Sequence, residues 1–487
     1  MAFRHGVYKS EVPTSLIAPV QTEAGLPVIV GTAPIHLASD EEALSNVNKP
    51  QLIHNYKDAV ALFGFSRDWE KYTLSEFIYS QFALFAMSPC VLINVLDPAK
   101  HKQTISPANF TITDGAANLG QDVILANGVT FDGTTAYTAG VDYSLGYDDE
   151  GNAILSVLSG GRLANASSVK VGFTKLNPSA VTSYDIIGGI DASTGDYTGF
   201  ELVNRVFPKF RLVPGLLGSP KWSEKPEVAA VMRAKAENIN GLFTAISVVD
   251  IPSDTAGADR YTEAPEWKNR NNYMGTHEIT CWPKVKLGDD VFHLSTQLIG
   301  LMNKTDSNNE DVPYESPSNK LLQMNSCVVA GGKEVDLGIE EANYLNGQGI
   351  VTALNWIGGW RAWGNRTAAY PANTDAKDCF IPIRRMFNWI GNEFILTFWQ
   401  KVDAPMTPRL IRTIINSYNV RLNGLSARQF ILGGRIEFNS TENPTTDLLN
   451  GILRFHIYIT PPPPAEQIWG IFEFDPDYFD VLFEAVA

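Results

Sequence analysis

Blocks of apolar residues along the chain predict an alternation of strands and helices. Two short continuous apolar runs, residues 26–33 and 90–96, are typical of strands that are buried on both faces. Between them, residues 56–63 and 74–85 carry apolar side chains at helical spacing. The resulting order of strand, helix, helix and strand is typical of a layered α/β domain.

The pattern from residue 200 to residue 249 predicts a β-α-β unit with a parallel sheet. We expect a strand near residues 211–214, a glycine-rich turn over residues 215–220, a helix with Pro226 in its first turn, and a strand over residues 245–249. The glycine-rich turn lacks the Gly-Lys-Ser/Thr sequence that opens the helix of a phosphate-binding loop. It therefore does not indicate a nucleotide cofactor.

Two regions lack helical periodicity. Residues 1–25 mix β-forming residues with Pro13 and Pro19, which predicts an extended arm. From residue 103 to residue 175, short alternating stretches are separated by turn pairs such as Asp132-Gly133. This pattern of short alternating stretches and turns predicts an inserted β-rich domain.

Residues 408–425 form the clearest predicted helix, because seven apolar side chains make one stripe along it. Arg409, Arg412 and Arg421 fall outside this stripe, and the segment contains no carboxylate. In a chain with a formal charge of −15, such a basic face is unusual. It is either a solvated polar face or a surface that meets an acidic partner.

A β-hairpin is predicted over residues 434–439 and 451–460, joined by a longer loop. The second strand alternates cleanly between apolar and polar side chains. We expect this hairpin to be the acceptor for strands donated by neighbouring subunits, and its apolar positions are Ile436, Phe438, Leu453, Phe455 and Ile457.

Four consecutive prolines, Pro461 to Pro464, follow this hairpin. Proline cannot donate a ladder hydrogen bond, and four residues of polyproline II advance roughly 12 Å. The run therefore ends the strand and holds the next segment, residues 468–474, away from it. We expect that segment to pair with a sheet of another subunit.

Composition is that of a folded globular protein, with 44% hydrophobic and 19% charged residues among 487. The length suggests about two to four domains. The negative charge argues against a dominant nucleic-acid or anionic-membrane surface. We also find no apolar run of about 18 residues, which argues against a membrane span.

Catalytic and metal-binding motifs are missing from the sequence. The seven histidines include no H-E-x-x-H pair, and the four cysteines are scattered without a C-x-x-C pair. There is no G-x-S-x-G segment. We therefore predict neither enzyme activity nor a cofactor or metal site.

Several motifs resemble the contractile tail sheath proteins of bacteriophages and R-type bacteriocins. They are His5 to Val12, followed by Val30 to Pro34; Tyr314 to Asn319; Ala342 to Asn346, with Gly349 to Thr352; Trp363 to Thr367; Ile383-Arg384-Arg385; and the proline run. Each motif is weak alone, but their order extends over nearly the whole chain. Only the β-rich insertion is unmatched.

The resemblance implies an α/β core with a subtilisin-like topology and no protease function. It implies a structural protein that forms hexameric rings, stacked helically around a tail tube, whose contraction drives the tube through a cell envelope. The implied partners are the chain itself, the tail tube protein, and baseplate and tail terminator proteins, with no direct nucleic-acid contact and no membrane insertion. The implied location is a virion tail or bacteriocin particle assembled in the host bacterial cytoplasm.

These considerations give a multidomain α/β (α+β) fold with strand-exchange arms at both ends. The expected divisions are an N-terminal arm over residues 1–25, core over 26–99, a β-rich insertion over 100–190, core over 191–400, a C-terminal core domain over 401–464 and a C-terminal arm over 465–487. The expected exchange residues are Val7, Tyr8, Val12, Ile468, Ile471, Phe472 and Phe474. The basic helix is expected to face the tube.

Two other protein classes, and alternative interpretations of two motifs, remain open at this point. The chain could be a capsid or other shell protein with strand-swapping arms, or a soluble enzyme whose site has no recognisable motif. For Trp363 to Thr367 a buried turn is the simpler interpretation. For Arg384 and Arg385, ion pairing inside the subunit competes with a contact between subunits.

Overall fold

The computed structural model describes residues 24–40, 42–132 and 137–484. Val7, Tyr8 and Val12 of the predicted N-terminal arm lie outside this range. The predicted multidomain α/β class is confirmed, because a largely parallel sheet is combined with helices and with separate antiparallel sheets.

An eight-stranded sheet forms the centre of the fold, with strand order β18-β17-β12-β11-β10-β1-β3-β2. Its strands are β1 (Pro27–Gly31), β2 (Gln51–Ile53), β3 (Cys90–Asn94), β10 (Leu216–Gly218), β11 (Ile246–Asp250), β12 (Glu278–Cys281), β17 (Ile350–Trp356) and β18 (Gly359–Trp363). The six inner strands are parallel, whereas β2 and β18 pair antiparallel at the two edges. Every residue of β1, β3 and β11 is buried, as their continuous apolar runs predict.

The remaining strands form four smaller sheets. They are β4 (Lys102–Thr111), β5 (Ala116–Gly120), β6 (Val129–Phe131), β7 (Tyr143–Tyr147), β8 (Ala153–Val157), β9 (Ser168–Leu176), β13 (Lys284–Leu287), β14 (Asp290–Phe292), β15 (Ser326–Val329), β16 (Lys333–Glu334), β19 (Gly433–Glu437) and β20 (His456–Thr460). Strands β4 to β9 make two three-stranded antiparallel sheets with their own apolar core. These sheets are the β-rich insertion, and they run from residue 102 to residue 176.

Helices pack around the central sheet and build a second core toward the C-terminus. They are α1 (Tyr56–Phe63), α2 (Thr73–Ile78), α3 (Ser183–Ile187), α4 (Val206–Phe210), α5 (Pro226–Glu237), α6 (Ala264–Arg270), α7 (Leu294–Asn308), α8 (Ile339–Asn346), α9 (Ala376–Cys379), α10 (Ile381–Phe398), α11 (Pro408–Ala427), α12 (Thr445–Leu449) and α13 (Val481–Glu484). The predicted helices at 56–63 and 408–425 and the strand at 90–96 are confirmed. The helix predicted over 74–85 is α2 and the π-helical turn that follows it.

One strand of the β-α-β unit was predicted at the wrong place. The strand is β10, within the segment that the sequence suggested to be a glycine-rich turn, and residues 211–214 are not part of it. A Cβ on Gly218 would lie 2.7 Å from a methyl group of Ile299 on α7 and 2.8 Å from one of Ile29. Glycine is therefore present because helix and strand pack closely, and not because the chain turns.

Helix α10 belongs to two cores. Its first residue, Ile381, packs in the cluster around the central sheet, whereas Met386 and Trp389 pack with α11 and β19 in a second cluster. Arg385 on α10 forms a buried bidentate ion pair with Asp306 of α7 and also donates to the backbone oxygen of Ala24 at 3.4 Å. Burial raises the pKa of Asp306, and the guanidinium opposes that shift. The pair ties α7, α10 and the start of the described chain together.

Candidate interaction site at the C-terminal hairpin and arm

The hairpin of β19 and β20 has one apolar and one polar face. Gly434 lies opposite Ile459, and Ile436 lies opposite Ile457. These residues face the second core, in which Ile436 is fully enclosed and the other two isoleucines are half-buried. The predicted apolar face is therefore confirmed at Ile436 and Ile457.

The outer face of the hairpin carries charge and aromatic rings. The Arg435 guanidinium lies 3.9 Å from the centre of the Tyr458 ring and donates a hydrogen bond to Glu437. The rings of His456 and Tyr458 stack with centroids 4.1 Å apart. This face can remain in water without a covering layer, so any added strand extends the sheet sideways and does not stack on it.

The two outer edges of the hairpin differ. No described strand other than β19 and β20 belongs to this sheet. The side-chain amide of Asn419 on α11 accepts from the Ile436 N–H at 3.1 Å and donates toward the Ile436 carbonyl at 3.5 Å. Asn419 thus covers the middle of the β19 edge as a short strand would, while β20 has no described strand along its outer edge.

The second strand is shorter than predicted. It begins at His456, and Leu453 and Phe455 precede it in an ordered loop. Asn443 accepts from the Arg454 N–H at 2.7 Å and donates to its carbonyl oxygen, which holds this loop outside the ladder. The prediction that the strand starts at residue 451 is wrong, because the N–H groups of Gly451 and Ile452 donate to carbonyls of α12 and Asn443 bonds the backbone of Arg454.

Phe438 and Phe455 remain part of the hairpin without lying in its strands. Phe438 follows β19, Phe455 precedes β20, and their rings lie 5.5 Å apart. Both are half-buried, as is Leu453. All five residues predicted for the acceptor hairpin therefore lie in its two strands or next to the end at which the connecting loop joins them.

The segment after the prolines lies on the surface of the described chain. Pro461 is buried, and Pro462 and Pro464 are half-buried, but every residue from 465 to 482 is exposed. Ile468 is 88%, Ile471 is 93%, Phe472 is 97% and Phe474 is 77% exposed. The segment has no regular structure before a short 3₁₀ turn at Pro476–Asp480. So many contiguous exposed apolar side chains mark an interaction surface.

The three arginines of α11 do not share one environment. Arg409 and Arg412 are exposed in the first turns of the helix. Arg421, in contrast, forms a bidentate ion pair with Glu393 of α10, at 2.7 and 3.0 Å, and its side chain is only 10% exposed. Burial raises the pKa of Glu393, and Arg421 opposes that shift. The structure thus contradicts the prediction that Arg421 faces a partner.

A buried ionic cluster lies beside the carboxyl end of β11, where an enzyme of this fold class would bind its substrate. His293 contacts Glu76 at 2.8 Å, and Ser295 bonds to Asp250. Burial favours neutral His293, but the neighbouring carboxylates, Glu76 foremost, raise its pKa to about 10. All four side chains are buried, and His293 Nε2 also lies 3.4 Å from the Glu224 carboxylate. Ser295, the one residue of the four with a hydroxyl group, is only 1% exposed.

The other arginine motifs are also explained by internal contacts. Arg384 pairs with Asp378 at 3.0 Å, and Arg385 pairs with Asp306. Both arginines therefore form ion pairs inside the subunit, which is one of the two interpretations that the sequence left open. Trp363 is half-buried and donates to Asn343 at 3.1 Å, but Arg366 bonds to Glu466 at the start of the exposed arm and not to backbone carbonyls.

Sequence reasoning missed two residues that shape this site, Asn419 and Glu466. Asn419 is a polar residue at the margin of an apolar helix stripe, and only the position of β19 gives it a role. Glu466 is the first charged residue after four prolines, a signal that would have justified a search for a basic partner.

Helices of the described residues include none with the length and hydrophobicity needed to cross a bilayer. Within the same residues, no three metal-ligating side chains cluster in a way that could hold a metal ion.

Comparisons with known proteins give consistent results. No family model matches the chain. It is 27% identical over 496 residues to the tail sheath protein of Burkholderia phage BcepMu, covering 99% of this chain and 98% of that protein. It is 26% identical over 307 residues to the major tail sheath protein of Serratia phage KSP20, covering 62% of this chain and 74% of that protein.

Solved structures share the fold at low sequence identity. The sheath of the extracellular contractile injection system PVC, in its contracted state, has a TM-score of 0.58 at 14% identity, covering 98% of this chain and 99% of that chain. A chain of the anti-feeding prophage baseplate, described as 6-fold symmetrised, has a TM-score of 0.57 at 15% identity, covering 98% of this chain and all of that chain.

Proposed function

Because this chain belongs to the contractile tail sheath family and is a structural sheath protein, we propose that it polymerises as stacked hexameric rings around a tail tube. Contraction of that polymer drives the tube through a target cell envelope. The similarity to phage tail sheath proteins and the shared fold with a contracted sheath support this proposal. The 6-fold description of one structural neighbour is consistent with hexameric rings.

The observation that carries the proposal is the exposed apolar arm beside a two-stranded hairpin. A two-stranded ribbon is marginal alone, and strands donated by neighbouring subunits extend it. We propose that residues 468–474 of one subunit pair with the hairpin of another, and that residues 1–25 do the same from the other end of the chain. The exposed edge of β20 is the first acceptor for such a strand.

The alternation of the arm fits the faces of the hairpin. In an extended strand Ile468, Phe472 and Phe474 lie on one side, so they can continue the apolar layer of Ile457 and Ile459. Full burial of one such side chain contributes about 1.5–3 kcal/mol. The three together supply roughly 5–9 kcal/mol toward the cost of ordering the arm and joining two subunits.

The basic start of α11 suits a contact with an acidic tube surface. Arg409 lies in the first turn of α11, where the macrodipole disfavours a cation by about 0.3–1 kcal/mol, and Arg412 lies in the next turn. Arg409 therefore does not stabilise the isolated helix. An exposed ion pair contributes about 0.2–1 kcal/mol, which suits a contact that must be released during contraction.

The same proposal gives the chain its partners and location. The partners are other copies of the chain, a tail tube protein, and baseplate and tail terminator proteins. The particle is a phage tail or a related contractile particle, and it is assembled in the cytoplasm of the host bacterium. We propose no catalytic role, because the buried ionic cluster beside β11 has no exposed nucleophile.

Removal of the arm tests this function. We expect a chain that ends at residue 465 to fold normally, because the deleted side chains are exposed, but to form no helical tubes in negative-stain micrographs. A synthetic peptide of residues 465–482 should bind to this shortened chain, and the same peptide with Phe472→Asp should not. Tubes formed by the shortened chain would refute strand exchange, and closed shells formed by the full chain would favour a capsid protein.

A further inference from the structure

The three sequence blocks Tyr314 to Asn319, Ala342 to Asn346 and Trp363 to Thr367 meet around one cleft. Residues from each block line its walls, and residues 462–467 close it on one side. Its volume is about 680 Å³. The start of the C-terminal arm therefore does not leave the hairpin freely, but passes along a surface built by distant parts of the core.

Arg366 is the charged centre of this contact. Its Nε donates to Glu466 Oε1 at 2.8 Å, and its Nη2 donates to the other carboxylate oxygen. The Arg366 side chain is 16% exposed and that of Glu466 is 34% exposed. A fork-to-fork pair of this kind fixes direction as well as distance, because both N–H groups must align with both oxygens.

The Arg366 guanidinium also contacts groups of the core other than the carboxylate. The guanidinium carbon lies 3.8 Å from the centre of the Phe380 ring and 4.5 Å from that of Tyr370. Its Nη1 donates to Cys379 at 3.0 Å, and its backbone bridges to Phe380. Such fixation reduces the entropy lost on binding, since the side chain has few other rotamers to give up.

We propose that Arg366 is a carboxylate-binding site of the core, that its ligand is Glu466, and that this bond sets the direction in which the C-terminal arm leaves the subunit. This proposal rests on the proposed strand exchange, because the direction matters only if the arm must reach a neighbour. The prolines supply stiffness between Thr460 and Ala465, and the ion pair fixes the far end of that spacer.

The direction of the arm can be measured in unassembled subunits by pulsed electron–electron double resonance between two spin labels. All four native cysteines are buried, so spin labels attach to cysteines introduced as Tyr344→Cys on α8 and Ile468→Cys on the arm, both of which are exposed positions. We expect a narrow distance distribution in the otherwise native chain. Glu466→Gln should broaden the distance distribution. The ratio of held to released arm should fall about fivefold, which corresponds to the upper end of the free energy of an exposed ion pair.

Two further variants separate the ion pair from general effects. Glu315→Gln breaks the pair of Glu315 with Lys320 on another wall of the cleft and should leave the distribution narrow. Arg366→Lys keeps the charge but loses the fork, so it should broaden the distribution while thermal unfolding checks that the chain is folded. A distribution in Glu466→Gln as narrow as in the native chain would overturn the proposal.

The assembly results distinguish this proposal from strand exchange itself. If deletion of the arm abolishes tubes but Glu466→Gln leaves the arm in place, the carboxylate site fails and strand exchange stands. If tubes form without the arm, strand exchange fails whatever the label distances are. If both proposals hold, Glu466→Gln raises the concentration needed for tube formation by about fivefold, and Glu315→Gln does not.

Discussion

Truncation of one exposed aromatic residue on the arm should weaken assembly without weakening the subunit. Phe472 is 97% exposed in the single chain, so Phe472→Ala removes no packing there. If the side chain becomes buried in a neighbouring sheet, its loss costs about 2 kcal/mol per linkage, within the range for burying a large apolar side chain. At 1.4 kcal/mol for each factor of ten, the concentration needed for polymerisation should rise roughly 30-fold.

Sedimentation of polymers across a concentration series measures this change, and thermal unfolding of the dilute subunit measures folding. Tyr184→Ala is the matched control, because Tyr184 is an aromatic residue that is 83% exposed but lies on α3 and not on the arm. We expect the control to polymerise as the native chain does. An unchanged polymerisation threshold for Phe472→Ala, or an equal change in both variants, would refute the reasoning.

Four other predictions follow from the charges and amides described above. Reversal of Arg409 and Arg412 to glutamate should prevent assembly on tail tubes but spare tube-free polymers, whereas equal loss of both in micrographs would indicate a folding role. Arg421→Met leaves a buried carboxylate unpaired and should lower the unfolding free energy by about 3 kcal/mol in denaturant titrations; a value near zero would contradict the buried ion pair. The pKa of His293 is raised from 6.5 to about 10, so its protonation contributes stability that is complete below pH 6.5 and lost as the pH rises toward 10. His293→Gln should therefore reduce the fall in unfolding free energy between these two pH values. An unchanged fall in this variant would contradict the prediction. Asn419→Ala removes the amide that bonds the backbone of Ile436 and so leaves the β19 edge uncovered. If that edge also accepts a strand, binding of the arm peptide should increase. Unchanged binding would indicate that β20 alone is the acceptor.

Much of the fold could be predicted from local patterns. The bounds of α1 coincide with the predicted 56–63 segment, and the predicted β-hairpin is present. These elements bury one face or both faces, so the spacing of their apolar residues shows which faces are buried. The exposed state of Ile468 and Phe472 also follows from the prolines before them, because local stiffness prevents the segment from folding back.

What could not be predicted depends on partners far away in sequence. Arg421 looked free because its helix contains no carboxylate, but Glu393 lies 28 residues earlier on α10. Glu466 and Arg366 are 100 residues apart. Strand β10 was misplaced because it has only three residues, and its burial comes from the packing of α7 and β1 around Gly218. Tertiary contacts of this kind leave no periodic signal.

Helix α10 has a mechanical consequence for a subunit that is held at its ends. Its 18 residues span about 27 Å at 1.5 Å per residue. Near its start, Arg385 donates to the backbone oxygen of Ala24, the first described residue of the chain. Farther along, Glu393 pairs with Arg421 of α11, the helix that packs against the hairpin. Tension applied to the N-terminal segment therefore reaches the hairpin through one continuous helix. If neighbouring subunits hold both arms, as we propose, the subunit can turn between them as a rigid body while the strain falls on the arms.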